Sequence, residues 1–314
     1  MNKILLLGLS FLLFCGYPKP KEEILVKVSE VRLRGYPNGM AFLPNSDYLF
    51  VASGQGGLEV IDLKEKRKVL EYLDFENTCW DVKISESLAF LAYGKKELLV
   101  CQISLPDTIF PIGVNEYSVA YGYSLAYDSL RKKVYCAARE QFITFDVSDP
   151  NYPIDIKKEN FPSVRGIFFD GEYIYLACEQ LGVMIYLATD SFPVRVSSFD
   201  SSLNARDLWV KDTFLFIADG RAITIASIAD KKRPRFLTSI PISGYAQKIT
   251  GFNNYLFLAA NEGGLYLYDL SSFPPEEKAH LKEGYVRCVL YHPEKEILLV
   301  GERDKGVIIY EIKD

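Results

Sequence analysis

The chain has 314 residues, 49% hydrophobic, 14% aromatic and 25% charged, a composition that supports a large apolar core and excludes a disordered tail. Its 36 Lys and Arg against 41 Asp and Glu leave a formal charge of -5. No net positive field is available to gather a phosphate backbone, so no nucleic acid partner is expected. The 21 Tyr and 20 Phe favour strands, and two His leave little imidazole for catalysis or metal binding.

Residues 1–15 read as a targeting segment. Lys3 precedes a largely apolar run from Ile4 to Phe14. At ~1.5 Å per residue that run covers about half a bilayer core, which fits a signal-peptide h-region and not a membrane span. Leu12-Leu13-Phe14-Cys15 resembles a bacterial lipobox, with Phe14 where that motif carries a small residue. The resemblance implies that Cys15 is acylated and anchors the chain to a membrane. Cleavage nearby into a free secreted protein, or retention of the run as an apolar anchor, are the alternatives. All three place the folded part outside the cytoplasm, in the periplasm or on the cell surface. Residues 16–23 include Tyr17-Pro-Lys-Pro-Lys-Glu-Glu23, which suits an extended tether.

Residues 24–314 carry one motif seven times. A short apolar run ends in a small residue at Ala52, Ala92, Ala137, Ala177, Ala218, Ala259 and Gly301, with spacings of 40 to 45. Five or six residues later a second apolar run begins, as in Leu58-Glu-Val-Ile-Asp-Leu63, Phe142-Ile-Thr-Phe-Asp-Val147 and Leu265-Tyr-Leu-Tyr-Asp-Leu270. Each unit therefore holds a hairpin. A shorter strand precedes it, such as Asp81-Val-Lys-Ile84 or Asp207-Leu-Trp-Val210, and a more polar one follows, such as Val194-Arg-Val-Ser-Ser198. Four strands in about 42 residues make a propeller blade, so the expected fold is an all-β, seven-bladed β-propeller of four-stranded antiparallel blades. The seventh unit stops at its third strand, whereas Ile24 to Arg34 precedes the first unit without a partner. That N-terminal strand is expected to join the last blade and close the ring, removing two sheet edges.

At this point the units resemble the LVIVD-repeat family, bacterial and archaeal exported seven-bladed propellers. Leu58-Glu-Val-Ile-Asp62 is close to the namesake pentapeptide, Phe142 to Pro153 is similar to the family strand and its Asp-Val-Ser-Asp-Pro turn, and Ala205-Arg-Asp-Leu208 resembles the start of its inner strand. The resemblance implies fold and export, and it carries over no catalytic residues. Trp-Asp repeats fit less well, because Trp80-Asp81 is the lone dipeptide of that kind, and kelch repeats fail because Gly-Gly occurs at 56–57 and 263–264 alone.

In a propeller the innermost strands ring a central channel. The column just before each inner strand reads Gly39, Trp80, Tyr123, Arg165, Arg206, Gln247 and Arg287. Guanidiniums fork onto carboxylates and aromatic faces stack on rings, so Trp80, Tyr123, Arg165, Arg206, Gln247 and Arg287 are the candidate ligand-binding residues for an anionic or glycan ligand. The next column is Met40, Asp81, Ser124, Gly166, Asp207, Lys248 and Cys288. A structural reading competes: these columns pair between blades, with Asp81 and Asp207 neutralising Arg206 or its neighbours. Near the end of each third strand Asp62, Gln102, Asp146, Leu187, Ser227, Asp269 and Glu311 form a column that local turn bonding explains.

Catalytic signals are missing from the sequence. His280 falls in an outer strand and His292 before Pro293 in a turn, and no G-x-S-x-G, H-E-x-x-H, P-loop or calcium-loop motif occurs. The six Cys are widely spaced, which speaks against zinc, and a Cys136–Cys178 disulfide between adjacent blades is conceivable. No cofactor is expected. The sequence therefore reads as an exported, lipid-anchored propeller that binds a protein or a small anionic or glycan ligand at the cell envelope. The alternative is an extracytoplasmic hydrolase or lactonase with its site at the channel mouth.

Overall fold

The computed structural model describes residues 24–313 apart from 44, 75, 95, 106, 116–121, 202 and 283. The targeting segment, Cys15 and the tether lie outside the described residues. The 28 described strands sort into seven four-stranded antiparallel sheets. Six sheets take their strands in chain order from the innermost outward. The seventh holds Val286–His292, Ile297–Glu302 and Gly306–Ile312, and its fourth strand is Leu25–Val31 from the other end of the chain. That strand pairs from Leu25 with Ile312 to Val31 with Val307, so the ring closes as the unmatched first segment implied. Innermost strands neighbour one another around the whole circle, including Val286–His292 of blade seven against Gly39–Phe42 of blade one.

Sequence explains the layering within a blade. The middle two strands are nearly continuous apolar runs, such as Tyr48–Ala52 and Leu58–Asp62, because a neighbouring blade covers each face. Outer strands such as Arg67–Tyr72 mix exposed and half-buried positions, and their charged side chains discourage pairing along the open edge. Seven apolar clusters fill the seven gaps between blades. Phe50, Leu58, Cys79 and Leu91 lie between blades one and two, while Val31, Leu49, Leu299 and Ile309 lie between blades seven and one. Each large apolar side chain sealed in such a gap contributes about 1.5–3 kcal/mol relative to exposure. The closing strand adds Leu25 and Val31 to these clusters, so the seam is sealed by apolar packing as well as by a ladder.

The third-strand column is structural, as local bonding suggested. Asp62 accepts from the Lys64 and Glu65 amides at 2.9 Å, Asp146 from the Ser148 amide at 2.9 Å and Asp269 from the Ser271 amide at 2.7 Å. Cys79, Cys101, Cys136, Cys178 and Cys288 are all buried, and no disulfide joins Cys136 to Cys178. The position of His292 differs from expectation. It is the last residue of an inner strand rather than part of a turn, fully buried, with its ring stacked on Phe42 at 4.4 Å. The Pro that follows it terminates the strand, and the apolar stack displaces the ring from solvent.

Candidate functional site

The ring brings the start of every inner strand to one end of the channel, where a funnel of about 570 Å³ opens. Trp80, Tyr123, Arg165, Arg206, Gln247 and Arg287 all line it, and all six are half-buried. Unit one is offset from the expected column. Gly39 pairs with Ala52, as Asp207 pairs with Ala218 and Gly166 with Ala177, so Asn38 takes the mouth position and Gly39 the one beneath it. The error arose because unit one alone offers no large or charged residue to mark the column. The funnel also takes Tyr245, Asn261, Glu262 and Tyr285, which lie outside that column.

Local backbone irregularity aims these side chains. Pairing shifts by one residue at Trp80, Tyr123, Arg206 and Arg287, each left between two paired neighbours. Such a bulge redirects one side chain without ending the strand. In blades one, four and six the mouth residue precedes the strand, and the amides of Asn38, Arg165 and Gln247 donate to Ala52, Ala177 and Ala259 at 2.8 Å.

At the mouth, guanidiniums and rings stack on one another. Arg165 lies 4.6 Å from the Tyr123 ring centroid and Arg206 lies 5.0 Å from that of Tyr245. Trp80 meets Tyr123 edge to face at 5.1 Å. The Trp80 indole nitrogen is buried without a hydrogen-bond partner among the described residues. Arg287 donates to Asn38 Oδ1 through Nε at 3.1 Å and Nη2 at 2.6 Å. Asn261 donates to Gln247 Oε1 at 3.4 Å.

The column reading missed Glu179. Its carboxylate accepts from Arg165 Nε at 2.6 Å and reaches Arg206 Nη2 at 3.9 Å. Burial opposes its charge, but the Arg165 hydrogen bond and the guanidinium charges outweigh burial and hold the carboxyl below its ordinary range. Glu179 sits at φ 47°, in the hairpin position where other blades place Gly54 and Gly220. A charged residue in that left-handed turn, at a position often held by Gly, was the available signal.

One residue further along, the second column forms the neck. Asp81 Oδ2 accepts from the Leu125 amide at 2.8 Å and Ser124 Oγ at 3.2 Å in the next blade, and pairs with Lys83 at 2.9 Å. Asp207 repeats the staple, accepting from the Ile249 amide at 3.0 Å and facing Lys248 at 3.6 Å. These carboxylates therefore bridge blades, but they answer lysines and backbone amides rather than Arg206, because the pleat turns the two columns apart. Burial pushes the Asp207 carboxyl up despite Lys248. Burial also raises Asp81, yet the charges of Lys83 and Lys248 with the Leu125 amide bring it below its usual value. Lys248 retains its proton more tightly than usual because Asp207 and Asp81 outweigh its own burial. Inner strands approach closely here: a Cβ on Gly166 would stand 2.6 Å from the Arg206 carbonyl oxygen, and one on Gly39 2.5 Å from Asp81 Oδ1.

Among the described residues, no group of three or more His, Cys, Asp and Glu comes together to hold a metal ion. Burial pushes the Cys178 and Cys288 thiols up to about 12, which keeps them as unreactive apolar packing.

The LVIVD repeat family matches residues 45–65, 78–108 and 204–239, within blades one, two and five. No curated protein matches the chain. Solved structures do. A chain of the Mitotic Checkpoint Complex is similar at 14% identity and TM-score 0.72, with both chains fully covered. Raptor from Chaetomium thermophilum gives 12% identity and TM-score 0.72 over 92% of this chain and 30% of its own. The Cps50 (Swd1) β-propeller domain from Myceliophteria thermophila gives 12% and 0.72 over 92% of this chain and all of that one. Likeness at such identity is likeness of fold alone. Repeat and architecture agree: the chain is a seven-bladed β-propeller that carries LVIVD repeats in blades one, two and five.

Proposed function

We propose that this propeller is an exported, lipid-anchored binding module of the cell envelope that takes an anionic ligand at the mouth of its channel. One observation carries the binding part: Arg165, Arg206 and Arg287, from three blades, converge half-buried on one funnel of about 570 Å³. That volume lies in the range of small-molecule sites. Partly buried guanidiniums attract anions more strongly than exposed ones, because solvent screens them less. Export and anchoring rest on the apolar run to Phe14 and the lipobox-like Cys15. The Pro-rich residues 16–23 would serve as the tether between anchor and propeller.

Two measurements test the reading. Labelled fatty acid should enter the native chain and not a Cys15→Ser variant, which should leave the membrane fraction; equal labelling of both would remove the anchor. In thermal melts of the full-length protein, small organic acids and phosphate should raise the melting temperature saturably, with no response from an Arg165, Arg206, Arg287 to Gln triple variant. Flat melts with small anions, combined with a stable envelope protein captured on the same rim, would replace the small ligand by a protein partner.

A further inference from the structure

We propose that the ligand of the mouth is an acidic saccharide, a uronate-bearing glycan fragment whose carboxylate docks beside Arg165 and Arg206; this rests on the anion-binding reading above. Charge sets the first limit. Arg165 and Arg206 share the single carboxylate of Glu179. Arg287 is held by a neutral amide, Asn38. The neck lysines Lys83 and Lys248 already face Asp81 and Asp207. Glu262, exposed on the funnel wall, brings a second carboxylate to the count. Three guanidiniums against two carboxylates leave one positive charge, which matches one carboxylate of a uronate chain, with the next carboxylate a sugar ring away toward solvent, better than a phosphate that brings two charges to one point. Arg165 offers it a ready fork: Nε is committed to Glu179, while Nη1 and Nη2 make no hydrogen bond among the described residues.

The rest of the lining chooses the body of the ligand. A flat base would need an open aromatic face, but Tyr123 already stacks with Arg165 and Trp80, and Tyr245 with Arg206. What the wall presents instead are polar edges. The Gln247 amide keeps its Nε2 donor and the Asn261 amide its Oδ1 acceptor beside the bond between them, a pair of groups that a sugar hydroxyl can answer, whereas Asn38 is spent on Arg287 and the Cys79 carbonyl. A bare anion would leave those amides and most of the 570 Å³ unused. A neutral sugar would leave the extra charge unmet.

Calorimetric titration of the full-length protein tests this with digalacturonate, its methyl ester, acetate, inorganic phosphate and adenosine monophosphate. The proposal expects digalacturonate to bind at least about tenfold more tightly than each of the others, since a site built to hydrogen-bond discriminates strongly against analogues that leave its groups unpaired. An Arg165→Gln, Arg206→Gln double variant should lose the preference over the methyl ester while melting normally. Asn261→Ala, an independent arm, should weaken digalacturonate and leave acetate unchanged. Phosphate or the nucleotide binding as tightly as digalacturonate would overturn the saccharide and keep the anion site. Equal binding of acid and ester would overturn the role given to the guanidinium pair. No heat with any of the five would remove the small-anion reading altogether.

Discussion

The mouth and neck of the channel are built from adjacent positions of the same inner strands, yet they treat charge in opposite ways. At the neck, Asp81 and Asp207 are almost fully buried, and each is answered by a lysine and by an amide of the next blade. One residue earlier, Arg165, Arg206 and Arg287 are half-buried, with Glu179 as their one ion-paired carboxylate and the neutral amides of Asn204 and Asn38 as further partners. The comparison teaches that charge in this channel bridges blades where it is matched; on the binding reading proposed above, it serves recognition where it is left in excess. Neck substitutions should therefore cost stability, and mouth substitutions should cost binding.

The largest expected effect is at the neck. Asp207→Ala removes the partner of the half-buried Lys248 and of the buried Ile249 amide, which should cost about 3 kcal/mol in chemical denaturation. A loss below about 1 kcal/mol would break the contrast. Gly166→Ala comes next, because its Cβ would meet the Arg206 carbonyl oxygen at 2.6 Å and the Asp207 Cα at 2.8 Å. Backbone must shift to admit it, for about 2 kcal/mol. A silent substitution would mean that the strands part easily at the neck.

His292, at the far end of the blade-seven inner strand, supplies a control outside both columns. Burial lowers its pKa below 6.5, and neither ring nitrogen has a hydrogen-bond partner among the described residues. Lys295 opposes its protonation, while Glu294 and Asp47 favour it less strongly. With a depressed folded pKa, the unfolded chain binds the proton more readily. The contribution is thus present above about 6.5 and is lost as pH falls through the folded value. Urea midpoints should decline as pH falls below about 6.5 in the native chain and decline less in His292→Phe. Parallel declines would assign the acid sensitivity elsewhere.

Mouth changes should be smallest. Glu179→Gln should lower stability by about 0.5 kcal/mol at neutral pH, since solvent reaches the pair. Because its folded pKa is depressed, that contribution is present above about 4.5 and disappears as pH falls through the folded value, so native and variant should converge in acid. Arg206→Gln should cost about 0.5 kcal/mol or less while reducing anion binding. A cost of several kcal/mol would move the mouth guanidiniums into the structural class.

Periodicity made the fold legible. Seven small residues at near-constant spacing, each ending an apolar run, are a local pattern, and a strand's commitment to bury both faces is written into its own residues. The unmatched segment before unit one was legible by subtraction, and Leu25–Val31 occupies the place that the count left open. The mouth was legible in six of its positions, because Trp, Tyr, Arg and Gln recur at one place ahead of the inner strands. Asn38 was not, since a small polar residue beside Gly39 looks like an ordinary turn until the pairing with Ala52 sets the frame. Glu179 was not, because it belongs to a hairpin, outside the column being compared.

The sequence by itself determined the number of blades, their strand order and the closing strand, because each follows from local apolar patterning and a count that must come out whole. Tertiary structure alone decided which charges meet. Asp81 finds Leu125 and Lys83 rather than Arg206, and Arg165 finds Glu179, because bulges and the pleat turn neighbouring residues apart. Ring closure brings Arg287 to Asn38, 249 positions away. Burial is a property of one residue's surroundings and leaves a pattern along the chain, whereas pairing depends on the direction of two side chains in different blades, which no single stretch of sequence records.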